Sequence, residues 1–92
     1  MKQPLGLSYT EAALSSLSKI PKKFREQIVR KIAGLTSNPT PPASKQLVGV
    51  KEGDIPVRRL RSGDYRILYA LQGNPTAITI LDIGDRKDVY KR

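Results

Sequence analysis

Ninety-two residues are enough for one hydrophobic core and too few for two, so residues 1–92 are expected to form one domain. Seventeen Lys and Arg against eight Asp and Glu give a net charge of +9, which favours phosphate-bearing or acidic partners. The chain has no Cys and no His, which excludes disulfides, thiolate catalysis, Cys-ligated zinc and histidine-dependent hydrolysis; no apolar run approaches the roughly 20 residues of a bilayer span, so no membrane partner is expected and the cytoplasm is the default compartment.

The chain opens with a polar lead, and then Leu5, Leu7 and Tyr9 alternate as a short strand does. Thr10 is placed to cap a helix whose first turn carries Glu11. Ala13, Leu14 and Leu17 supply the apolar stripe of that helix. Pro21 interrupts the pattern and suits the first position of a second helix, from about Pro21 to Thr36. Phe24, Ile28, Ile32 and Leu35 recur on one face of it, and Lys22, Lys23, Arg25, Arg30 and Lys31 crowd the other beside a single Glu26. That basic face reads as a solvated side or as an electrostatic landing surface.

Pro39, Pro41 and Pro42 end the helix, and the stretch to Val50 reads as a long connection. Leu47 is placed to anchor it while Lys45 stays at the surface. From Val57 onwards a β-hairpin is expected, turning at Ser62-Gly63-Asp64. Strand alternation puts Val57, Arg59 and Arg61 on one face and Arg58 and Leu60 on the other. On the return strand Tyr65, Ile67 and Tyr69 share a face opposite Arg66 and Leu68. Arg59, Arg61 and Arg66 therefore converge on one side if the apolar side packs on a core, and such a cluster calls for an anion. Tyr65 and Tyr69, sharing a face with Ile67, read as packing residues. Gln72-Gly73-Asn74-Pro75 forms a turn, and Ala77–Ile83 reads as a central strand covered on both faces, with Asp82 in a structural role. The expected class is α+β in the order β-α-α-β-β-β, with two N-terminal helices packed on a mainly antiparallel four-stranded sheet.

Arg59-Leu60-Arg61-Ser62-Gly63-Asp64-Tyr65-Arg66-Ile67-Leu68-Tyr69, followed by Ile83-Gly84-Asp85-Arg86-Lys87-Asp88-Val89-Tyr90, strongly resembles the signature of the RelE/ParE toxin superfamily. These are the toxic halves of type II toxin-antitoxin pairs, and the β-α-α-β-β-β order agrees with that family. The resemblance implies a cognate acidic antitoxin that folds on the basic surface, giving a toxin-antitoxin hetero-oligomer. The RelE branch cleaves mRNA in the ribosomal A site, whereas the ParE branch inhibits DNA gyrase. The segment Gly84–Tyr90 resembles the RelE side, so the expected function is a ribosome-dependent endoribonuclease that blocks translation.

Metal-free cleavage by this family proceeds by attack of a ribose 2′-hydroxyl on the adjacent phosphate and needs no cofactor. By resemblance, Arg66 stabilises the transition state, Arg86 assists the leaving group, Tyr90 orients the substrate nucleotide and Arg59 activates the nucleophile. Arg61, Lys87, Lys91 and Lys45 are the accompanying phosphate-binding candidates. An arginine keeps its proton, so Arg59 acts on the 2′-hydroxyl electrostatically, and Tyr90, Lys87 and Lys91 stay open as proton acceptors. The chain departs from the pattern at Val57, where some RelE-type enzymes have lysine, and at Asp85, where many relatives have histidine. Gyrase inhibition and an inactive, antitoxin-binding relative are the two alternatives.

Overall fold

Thr10 both ends the first strand and starts the first helix. Its hydroxyl accepts from the Ala13 amide at 3.1 Å and donates to the Leu81 carbonyl at 2.7 Å, so one side chain caps the helix and sews it to the last strand. The computed structural model describes residues 6–73 and 77–85. Within them lie β1 (Gly6–Tyr9), α1 (Glu11–Ser18), α2 (Lys22–Gly34), β2 (Ser44–Glu52), β3 (Ile55–Ser62), β4 (Tyr65–Gln72) and β5 (Ala77–Asp85).

The five strands form one mixed sheet in the order β1-β5-β4-β3-β2. β1 runs parallel to β5, and the other neighbours are antiparallel. The class is α+β as expected, but a four-stranded sheet is corrected to five strands and the order to β-α-α-β-β-β-β. The added strand is β2, which occupies much of the stretch read as a connection. Its nine residues show no buried alternation, because only Ser44 is buried and Leu47 is half-buried. An edge strand of this kind is defined by its pairing to β3 rather than by a hydrophobic period. The pairing also slips between Gln46 and Lys51, so that Leu47–Val50 bulge opposite Val57 with Gly49 at a φ of 75°. With β2 added, β4 becomes the middle strand and β5 lies second from the edge. No helix among the described residues is long and apolar enough to cross a membrane.

Both helices pack on one face of the sheet. Ala13, Ile28, Ile32 and Leu35 meet Leu60, Ile67, Tyr69, Ile78, Ile80 and Ile83 in the main core. Two residues of the expected helical stripes stand outside it: Leu14 is 53% exposed and Phe24 is 38% exposed. Leu14 lies on a short helix whose inward side is taken by Ala13, and Phe24 sits at the first turn of α2, beyond the sheet's apolar centre. On the other face Val57 and Leu68 are buried beneath Leu47 and Leu81. The same sheet therefore has a second, smaller apolar floor.

Asp82 lies beside a bulge in the β4–β5 ladder between Leu68 and Tyr69. Its Oδ1 accepts from the Ser16 hydroxyl at 2.9 Å and from the Ile83 amide at 2.8 Å. A buried carboxylate is thus hydrogen-bonded, and it ties α1 to β5.

Candidate nucleic-acid interface

The β3–β4 register decides where the arginines go. Arg61 lies directly opposite Arg66, and Arg59 opposite Leu68. Directly opposed residues share a face, so Arg59, Arg61 and Arg66 share the face that carries Val57 and Leu68, away from the helices. The intervening Arg58, Leu60 and Ile67 turn to the helical side. Lys45 on β2 is opposite Arg59 and joins the same face from the strand that the sequence did not disclose. Gly84 faces Arg66 across β5, and it adds no side chain there. One sheet face therefore presents Lys45, Arg59, Arg61 and Arg66 over an apolar floor.

The four cations differ in setting. Arg59 and Arg66 are half-buried, while Arg61 and Lys45 are exposed. The Arg59 Nε is shielded from solvent and has no hydrogen-bond partner among the described residues; a buried donor in that position favours an acceptor that can reach it. Arg61 and Arg66 line a cavity of about 180 Å3 at the hairpin tip together with Gly63, Asp64 and Tyr65. Gly63 makes the tip possible, with a φ of 59°. Like charges directly opposed on neighbouring strands destabilise a sheet. A phosphate held between Arg61 and Arg66 would offset that repulsion and match guanidinium geometry.

The hairpin is held from the helical side. Lys31 Nζ donates to the Arg61 carbonyl at 3.1 Å, and the Phe24 and Tyr65 rings are 5.8 Å apart at 45°. Farther along, Arg58 Nε donates to Ser44 Oγ at 2.9 Å, and Tyr69 Oη lies 2.7 Å from both Ser44 Oγ and the Pro39 carbonyl. Arg58 thus fixes the sheet rather than joining the open cluster. The Lys31, Ser44 and Phe24 contacts were not legible in the sequence, since each depends on elements distant along the chain. Arg86, Lys87, Tyr90 and Lys91 fall outside the described residues, which end at Asp85. Of the basic residues named on α2, Lys22, Lys23, Arg30 and Lys31 are exposed and Arg25 is half-buried.

The two-helix layer on an antiparallel-rich sheet is an architecture shared with solved RelE toxin complexes. The chain superposes on the RelE-RelB complex of Pyrococcus horikoshii OT3 with a TM-score of 0.77 at 23% identity, covering 95% of this chain and 100% of that one. It also superposes on the RelBE2 toxin-antitoxin complex of Mycobacterium tuberculosis with a TM-score of 0.74 at 27% identity, covering 91% of this chain and 100% of that one. In sequence it is 29% identical over 89 residues to Toxin RelG of M. tuberculosis, which spans 97% of this chain and 99% of that relative. Fold and sequence together define a toxin of the RelE/ParE superfamily. Residues 7–90 match the family described as ParE toxin of type II toxin-antitoxin system, parDE, and the chain belongs to that family.

Proposed function

We propose that this toxin is a RelE-like, ribosome-dependent endoribonuclease that cleaves mRNA in the A site without a metal. The observation that carries the reading is the placement of Arg59, Arg61 and Arg66 on one sheet face, with Arg61 and Arg66 in direct register. In the proposed reaction the 2′-hydroxyl oxygen attacks the adjacent phosphorus as its proton passes to a base. The bond to the 5′ oxygen then breaks, leaving a cyclic phosphate, and the departing 5′ oxygen takes up a proton to become a hydroxyl. Arg66 stabilises the charge that develops on the phosphorane, and Arg59 favours the ionised 2′ oxygen. Arg61 and Lys45 hold flanking phosphates. Arg86 assists the leaving group and Tyr90 orients the nucleotide, with Lys87 and Lys91 beside them; Arg86 directly follows Asp85, the residue that pairs with Tyr65.

The cluster has no imidazole, so positioning by the ribosome carries a large share of the acceleration. A cognate antitoxin rich in acidic residues is the expected partner, in keeping with the RelB complexes formed by the RelE relatives. Primer extension on an mRNA translated in a purified system, with ribosomes present or omitted, tests the reading. Cleavage is expected only with ribosomes, and Arg66→Ala is expected to lower it by roughly 10²–10³-fold, the usual loss on removing one transition-state donor. Full cleavage by a folded Arg66→Ala variant, or none by the unmodified protein on ribosomes, would refute it.

The second reading is inhibition of DNA gyrase, favoured by the match of residues 7–90 to the ParE family. It predicts loss of supercoiling activity in a purified gyrase assay and intact mRNA on ribosomes.

A further inference from the structure

α2 touches the arginine hairpin at two points. Phe24 and Lys31 lie two turns apart on the side of that helix that carries Ile28 and Ile32. The Phe24 ring rests against Tyr65 of β4, with centroids 5.8 Å apart, and Lys31 Nζ donates to the Arg61 carbonyl of β3 at 3.1 Å. The register explains why that carbonyl is available. The two-residue turn at Gly63 and Asp64 makes Ser62 and Tyr65 the hydrogen-bonded pair that closes the hairpin. Arg61 and Arg66 are then a non-hydrogen-bonded pair, in which side chains approach most closely and the backbone N–H and C=O point away from the partner strand. On that outer side β2 stops short, because its pairing to β3 begins at Ser44 opposite Leu60. The Arg61 carbonyl therefore lies at the sheet's edge, past the end of β2. A side chain from the helical face reaches it there while the Arg61 guanidinium stays on the open face.

Arg61 and Arg66 repel one another across the ladder, and the tip of β3 has a strand on one side only. A tip free to splay would separate the two guanidinium groups and open the cavity of about 180 Å3 that they line. The β4 side of the tip is held by β5, through Tyr65 opposite Asp85; on the β3 side the Lys31 bond takes the place of the missing strand. Folding alone does not call for that bond, since Lys31 and Arg61 are both exposed and water satisfies an exposed carbonyl at little cost. What the bond adds over water is a fixed distance from α2 to the strand. We propose that Lys31 is a positioning residue for the phosphate-holding pair: through the Arg61 carbonyl it sets the tip of β3 so that the Arg61 and Arg66 guanidinium groups bear on one phosphate. The proposal rests on the RNA-directed reading above, and it sets Lys31 apart from the solvated cations of α2. Lys31 itself touches no substrate in this role.

The test is a double-mutant cycle on oligonucleotide affinity. The unmodified protein, Lys31→Met, Arg61→Gln and the double variant, all 15N-labelled, are titrated with a 2′-O-methyl tetranucleotide, which cannot be cleaved; amide shifts give the affinity and check the fold. Lys31→Met should weaken binding about three- to tenfold, the range of one hydrogen bond. In the Arg61→Gln background it should weaken binding by less than about twofold, because Lys31 acts through the Arg61 guanidinium. Arg61→Gln keeps the carbonyl and hence the bond, so a purely structural effect of Lys31 would persist there. Lys31→Arg keeps a donor and should restore affinity to within about twofold. Lys22→Met removes an equal charge from α2 and should cost the same with Arg61 present or replaced. The proposal is overturned by an undiminished Lys31→Met loss in the Arg61→Gln background, by unchanged affinity in Lys31→Met, by failure of Lys31→Arg to rescue, or by no binding of the unmodified protein at millimolar oligonucleotide. Absence of ribosomal cleavage with the coupling retained refutes the nuclease and leaves the positioning role standing. Ribosomal cleavage by the unmodified protein without the coupling removes the positioning role alone.

Discussion

Removing the hydroxyl of Tyr69 tests whether the sheet is fastened as the geometry requires. Tyr69 is 0% exposed, and its oxygen is 2.7 Å from both the Pro39 carbonyl and Ser44 Oγ. A phenol has one proton and the carbonyl can only accept, so Tyr69 donates to Pro39 and accepts from Ser44. Ser44 in turn accepts from Arg58 Nε at 2.9 Å. The result is a directed relay from Arg58 through Ser44 and Tyr69 to Pro39, joining β3, β2, β4 and the proline-rich connection. Tyr69→Phe deletes two of its bonds without changing the ring. At about 1 kcal/mol net for each bond, the loss is about 2 kcal/mol, and more if the Pro39 carbonyl is left unsatisfied. In a domain of this size that lowers Tm by about 8–16 °C. Thermal and urea unfolding measure it, and a cycle with Ser44→Ala should show the two losses to be less than additive, since both remove the Ser44–Tyr69 bond. A Tyr69→Phe protein within about 0.5 kcal/mol of the original would refute the relay, because that is the spread of substitutions that touch nothing.

Two further outcomes follow from charge and burial. Arg61→Gln should stabilise the free protein by about 0.2–1 kcal/mol by relieving repulsion from Arg66, while weakening its affinity for RNA. The gain should shrink in high salt, and a destabilised Arg61→Gln protein at low salt would contradict the argument. Tyr9 packs half-buried against the main core, and burial raises its pKa above the ordinary value of 10.0. Below pH 10 its contribution is fully present, and it is lost as pH rises through the folded value, because the unfolded phenol ionises first. Urea midpoints of the original and Tyr9→Phe should therefore differ by one amount at pH 8 and by another at pH 11, with the original losing more; an unchanged difference would show that burial does not act on this group.

Much of the molecule is written in local chemistry. Thr10 before Glu11 marks a helix start, Pro21 separates two helices, and Gly63 between Ser62 and Asp64 marks a hairpin turn. These need no knowledge of distant residues, since capping and turn geometry act within four residues. The period-2 alternation likewise put Arg59 and Arg61 on one strand face and Arg66 opposite Ile67 on the next, so that the three converge once the apolar side packs on a core.

Alternation says which residues share a strand face, but not which strands are neighbours. Only the sheet brings Lys45 opposite Arg59 and Arg61 opposite Arg66, and β2 exists as a strand because β3 supplies its hydrogen bonds. Phe24 has the spacing of a core residue but is 38% exposed, its ring resting against Tyr65 of β4. Ser44 and Tyr69 read as an ordinary loop serine and a packing tyrosine until the fold joins them through Arg58 and Pro39. The sequence determined the two helices, the hairpin and the last strand, and the sign of the charge on their faces, which depend on nearest neighbours along the chain. Tertiary structure alone decided which faces meet, because pairing register and helix placement are set by contacts between residues far apart in sequence.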